Sequence, residues 1–102
     1  MAEVRVIAKF VARKGKEKQL RELLRSMLAP THAESGCKTY DLYKSDSTGR
    51  FYFYEIWESQ AALDRHKASL HFKRLEQSGA ELLKEPFEVN ILEAIQLAAA
   101  AS

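Results

Sequence analysis

Phe51-Tyr52-Phe53-Tyr54-Glu55-Ile56-Trp57 is a run in which almost every residue is apolar or aromatic. Successive strand side chains point to opposite faces, so a strand begun at Arg50 needs cover both above and below. Just upstream, Ser45-Asp46-Ser47-Thr48-Gly49 has hairpin-loop chemistry, which makes Cys37 to Lys44 the partner strand, carrying Tyr40, Leu42 and Tyr43. Further upstream, Leu20, Leu23, Leu24, Met27 and Leu28 repeat at the spacing of one buried helix face, with a kink expected at Pro30 and a left-handed stop at Gly36. Before that helix, Val4 to Ala12 alternates as a strand, with Val4, Val6, Ala8 and Phe10 on one face and Ile7 and Val11 on the other. Lys14-Gly15-Lys16 turns the chain.

Downstream of Trp57, Ser59 is placed to cap a helix through Ala62, Leu63 and His66, and Ser69 to cap a further short helix with Phe72 and Leu75. Gly79 interrupts that helix, and Pro86 opens a last strand filled by Phe87, Val89, Ile91 and Leu92. The order β-α-β-β-α-β implies an α+β, ferredoxin-like antiparallel sheet with its helices on one face. Two helices cover only one side, which leaves an aromatic patch larger than monomers tolerate. A homodimer packed sheet to sheet is therefore expected.

The 102 residues suit a single domain over 1–95, with 96–102 a flexible alanine-rich tail. Hydrophobic residues at 46% and charged residues at 29% describe an ordinary globular chain and exclude a disordered one. Sixteen basic against fourteen acidic residues, interspersed, give no basic stripe and no reason to expect nucleic acid. No apolar run is long enough to cross a bilayer, and no signal-peptide core opens the chain, so a cytoplasmic protein without membrane partners is expected. The single Cys37 permits no internal disulfide.

Motifs for zinc proteases, paired thiolates, nucleophile elbows and phosphate loops are absent from the sequence. Neither a metal nor a cofactor is expected. His66 and His71 are five residues apart, on different sides of one helix, and converge only if the chain bends near Ser69. His66 shares a face with Ala62 and Leu63 and points at the sheet, either as a hydrogen-bonded core histidine or as a general base in an apolar cavity walled by Trp57, Tyr54 and Phe72. Glu55 is expected to pair with Lys9 or Arg5 across the sheet, Cys37 to be a small buried hydrophobe, and His32 to be exposed.

Glu34-Ser35-Gly36-Cys37-Lys38-Thr39-Tyr40, then Tyr54-Glu55-Ile56-Trp57-Glu58-Ser59-Gln60-Ala61-Ala62-Leu63-Asp64-Arg65-His66 and Ser69-Leu70-His71-Phe72, resemble the antibiotic biosynthesis monooxygenase superfamily. The resemblance runs from Val4 to Ile95 and implies a ferredoxin-like homodimer. It also implies a cofactor-independent monooxygenase that uses O2 on a small phenolic or quinol-type aromatic substrate. His66 is then the catalytic base, and Trp57, Tyr54, Phe72, His71 and Lys9 form the substrate site. Where the haem-degrading branch has an asparagine, a tryptophan and an iron-binding histidine, this chain has Ala8, His66 and Glu76. Arg50 to Glu55 also resembles an isomerase branch acting on a small phosphorylated carbonyl compound, for which Lys44 or Arg50 would anchor the phosphate. A non-catalytic dimeric module that binds an aromatic metabolite is the third reading.

Overall fold

A computed structural model describes residues 2–46 and 48–96. Eight elements follow in order: β1 (Val4–Val11), α1 (Glu17–Arg25), α2 (Leu28–His32), β2 (Cys37–Lys44), β3 (Arg50–Trp57), α3 (Gln60–Lys67), α4 (Leu70–Gly79) and β4 (Glu88–Leu92). The strands form one antiparallel sheet in the order β2-β3-β1-β4, with the helices on one face, an α+β ferredoxin-like fold. The alanine-rich stretch 97–102, expected to fray, lies outside the described residues.

Alternation decides which residues enter the core. Val6, Ala8 and Phe10 of β1 and Phe51, Phe53, Glu55 and Trp57 of β3 face the helices and are buried. They pack against Leu20, Leu24, Met27, Leu63 and Leu75. The other face carries Arg5, Ile7, Lys9 and Val11 of β1 beside Tyr52, Tyr54 and Ile56 of β3, all only half-buried. The aromatic patch expected from the β3 sequence is therefore present on the open face. Edge strand β4 is exposed at every position, Ile91 at 55%.

The helical segment before β2 is broken in two, as its proline implies. The interruption falls at Ser26–Met27 rather than at Pro30, which occupies the first turn of α2. Pro30 has no N–H to give the Ser26 carbonyl and its ring crowds that carbonyl, so the break four residues before it is the interruption expected from this proline. Gly36, at φ +93°, makes its left-handed turn four residues after the end of α2 and leads into β2.

Candidate functional site

His66 owes its position to two serine caps. Ser59 Oγ accepts the Ala62 N–H at 3.1 Å and starts α3 directly after β3. The spacing of Ala62, Leu63 and His66 then turns all three toward the sheet, and His66 is 1% exposed. The helix stops at Lys67. Ser69 Oγ accepts the Phe72 N–H at 3.2 Å to start α4, and its own hydroxyl donates to the His66 carbonyl at 2.6 Å. This change of helix is the bend that lets His66 and His71 converge, with ring centres 5.7 Å apart.

Glu34 is the group on which they converge. Its Oε2 accepts from His66 Nδ1 and from His71 Nε2, both at 2.6 Å. Gly36 makes this approach possible: a Cβ there would stand 2.8 Å from the Ala62 Cβ, so only glycine lets the segment carrying Glu34 press against α3. The Gly36 carbonyl also accepts the Glu58 N–H at 2.8 Å, which ties the segment to the end of β3. A proton on Nδ1 for this hydrogen bond leaves neutral His66 with a free electron pair on Nε2. Burial pulls the His66 pKa below its ordinary 6.5, against the Glu34 hydrogen bond, which raises it. The imidazole is thus held neutral, in one tautomer and in one orientation.

Two histidines and a carboxylate with donor atoms within 4.8 Å of one another are also of metal-binding type. First-row ions sit about 2.0–2.2 Å from each donor, and a tetrahedral or octahedral arrangement then holds donors roughly 3 Å or more apart. The two 2.6 Å separations onto one shared oxygen are closer than that and match charge-assisted hydrogen bonds.

Aromatic rings surround the His66 imidazole: Trp57 with ring centre 4.7 Å away, Phe72 edge-on at 5.2 Å and Tyr40 at 5.5 Å. The ring lines a cavity between helices and sheet, together with Tyr40, Glu55, Lys67, Phe72 and Phe87. Its volume is about 10 Å³, room for one water-sized molecule and not for a flat organic ring. Open grooves of about 420 and 640 Å³ lie elsewhere, one along Arg13, Lys84 and Phe87 and one along Arg21, Arg25 and Lys44.

Of the residues expected to form the site, the structure brings together His66, Trp57, Phe72 and His71. It does not bring Tyr54 and Lys9 to them. Tyr54 pairs with Ile7, and Lys9 pairs with Tyr52, all on the open face, because each alternates with core-facing neighbours. The same alternation overturns the expected pairing of Glu55 with Lys9 or Arg5. Glu55 faces the helices at 4% exposure, and its Oε1 accepts the Trp57 Nε1–H at 2.9 Å, while Arg5 pairs with Glu3. Burial raises the Glu55 carboxyl to about 7, opposed by the Trp57 hydrogen bond. Cys37 is half-buried, and burial pushes its thiol up to about 11, so it is unreactive near neutral pH. His32 is exposed as expected, with Nε2 at 2.8 Å from the Tyr40 carbonyl.

Two members of the site were missed in the sequence. Lys67, next to His66, lines the cavity, whereas Lys9 lies on the open face. Glu34 is 32 and 37 residues from its two partners, beyond any helical or strand period. The signal available for it was its place two residues before the glycine that opens β2.

Residues 3–78 match the family model described as antibiotic biosynthesis monooxygenase. The Mycobacterium tuberculosis protein Rv0793, which is provisionally named a monooxygenase, is 40% identical over 97 residues, 95% of this chain and 96% of that protein. Its solved structure superposes with a TM-score of 0.89, covering 95% and 99% of the two chains at 39% identity. Pseudomonas aeruginosa PA3566 gives a TM-score of 0.87 at 32% identity, over 94% and 97% of the chains. A crystal structure titled antibiotic biosynthesis monooxygenase gives 0.84 at 30% identity, over 91% and 99%. These relatives support a monooxygenase-type function at the level of the family. Matched over most of its length, the chain belongs to the antibiotic biosynthesis monooxygenase family.

Proposed function

We propose that this protein is a cofactor-independent monooxygenase acting with O2 on a small phenolic or quinol-type aromatic substrate, with His66 as general base. The observation that carries this reading is the carboxylate-held imidazole lining an apolar cavity. Ground-state oxygen is a triplet, so a closed-shell phenol reacts with it only after becoming electron-rich enough to transfer a single electron. Removing the phenolic proton does that. A phenol like tyrosine has a pKa about 3.5 above that of an ordinary histidine, and burial widens the gap for His66, so the transfer costs at least about 5 kcal/mol unless the phenolate is stabilised. Lys67 and the Glu34-bound imidazolium are the stabilising charges beside the cavity.

A water-sized cavity suits dioxygen better than a ring. The substrate ring therefore enters by displacing Phe72 and Phe87, which are half-buried where the cavity wall meets exposed β4. A second copy of the chain covering the open face, with its half-buried Ile7, Tyr52, Tyr54 and Ile56, completes the assembly. For the isomerase reading, Lys44 and Arg50 stand at the hairpin end of β2 and β3 and do not line the His66 cavity. No observation favours it.

The test is oxygen uptake with a panel of hydroquinones and para-unsubstituted phenols. Wild-type protein should consume oxygen, and His66→Ala should lose at least a hundredfold in rate with its secondary structure intact. Phe72→Ala should lower KM for bulkier members of the panel by opening the wall. Undiminished turnover by His66→Ala removes the base assignment.

A further inference from the structure

Glu55 is the buried group that the base mechanism leaves unused. It sits on the helix-facing side of β3, lines the same cavity as His66, and engages one oxygen with the Trp57 indole N–H at 2.9 Å. No cation lies within ion-pair distance among the described residues. The neighbouring β1 positions Val6 and Ala8 are apolar, as are Phe72 and Leu75 of α4 and Val89 of β4. The titratable and charged groups facing it are Tyr40 and Cys37 on β2, Glu34 ahead of β2, and His66 and Lys67 on α3. A buried carboxyl with no cation in contact keeps its proton toward neutral pH.

We propose that Glu55 is a catalytic acid that shares the dioxygen-sized cavity with His66 and protonates the oxygen atom that leaves as water. This rests on the oxygenase reading and gives it the second proton-handling group that the chemistry needs. In a phenol with a free para carbon, His66 removes the hydroxyl proton and the phenolate passes one electron to dioxygen. The two radicals then join in a C–O bond at the para carbon. The imidazolium returns its proton to the outer peroxide oxygen. As the O–O bond breaks, its electron pair stays on that outer oxygen, which takes a second proton from Glu55. The para carbon loses its hydrogen as a proton, and the C–H electrons become the new carbonyl bond. That proton restores Glu55. The ring has lost two hydrogens and gained one oxygen, giving a quinone, and the second oxygen atom has become water. Both steps need a neutral base and a protonated acid at one small, dry space, which is the pairing that His66 and Glu55 provide.

The experiment compares wild-type, Glu55→Gln and Glu55→Asp protein with 1-naphthol as probe, following oxygen uptake and quinone formation across pH, beside infrared titration of the protonated carboxyl band. Glutamine keeps the carbonyl that receives the Trp57 N–H and removes the proton. Glu55→Gln should lose ten- to a hundredfold in kcat and lose the alkaline limb of the kcat/KM profile, while Glu55→Asp recovers part of both. The wild-type carboxyl band should disappear near pH 7 and be absent from Glu55→Gln. Wild-type turnover that Glu55→Gln retains, with an unchanged pH profile, overturns the acid and leaves the oxygenase standing. Absence of quinone formation from the whole panel by wild-type protein overturns both. Should Glu55→Gln fail to fold, a wild-type band that has already vanished by pH 5 overturns the acid by itself.

Discussion

His66 Nδ1 and Glu34 Oε2 lie 2.6 Å apart although 32 residues separate them in the chain. That contact favours the His66 tautomer that leaves Nε2 free. In the proposed mechanism Glu34 acts through the imidazole, as a positioning residue.

Glu34→Ala should therefore lower kcat about 10- to 100-fold, with KM changed less. Nitrogen–proton correlation spectra should show His66 shifting from a single Nδ1–H tautomer to a mixture. Glu34→Asp should restore part of the signal and part of the rate. A single tautomer persisting in Glu34→Ala would remove this role.

The two buried titratable groups push stability in opposite directions with pH. The folded pKa of His66 lies below its unfolded 6.5, so the unfolded chain binds the extra proton first. Its contribution is complete above 6.5 and is lost as the pH falls below it. Glu55 is raised from 4.5 to about 7, so the folded state holds the proton over that window. Its contribution is complete below 4.5 and is lost as the pH rises through about 7. The loss for Glu55 amounts to about 3 kcal/mol between these limits. Urea unfolding of Glu55→Gln against wild type should show the variant gaining relative stability from pH 4.5 to 8, and His66→Gln should flatten the acid-side slope.

Gly36→Ala should destabilise the protein by about 1–3 kcal/mol and weaken the site together with the fold. The backbone there has φ +93°, and the added methyl would meet Ala62 at 2.8 Å. Thermal unfolding measures the first effect and the His66 tautomer spectrum the second. By contrast, Gly15→Ala meets no atom within 4 Å, so it reports the cost of positive φ alone, about 1 kcal/mol.

Tyr54→Asp on the open face should convert the proposed dimer to monomers in sedimentation analysis while leaving the helix-side core folded. A charge placed among Ile7, Tyr52 and Ile56 would be desolvated without a partner in a sheet-to-sheet contact. An unchanged sedimentation coefficient would remove this face from any interface.

Much of the architecture is legible from local rules. The alternation in Val4 to Val11 and Arg50 to Trp57, the leucine stripe of α1, and the caps Ser59 and Ser69 each act within a few residues. The break at Ser26–Met27 is local too, because Pro30 withholds its hydrogen bond from the Ser26 carbonyl four residues earlier. Tyr54 and Lys9 were assigned to the site by residue type, whereas strand parity sends them to the other side. Glu55 was given a surface partner for the same reason, and parity places it against Trp57 instead.

By itself, then, the chain's order of residues determined the strands, the helical segments between them, and the direction in which His66 points, because periodicity and capping are short-range effects. Only the tertiary structure decided that Glu34 joins His66 and His71, that Glu55 shares their cavity, and that the space left is the size of one small molecule. Those outcomes follow from how a glycine turn, a helix break and a sheet edge pack together, and packing sums contacts across distances in sequence that no local pattern encodes.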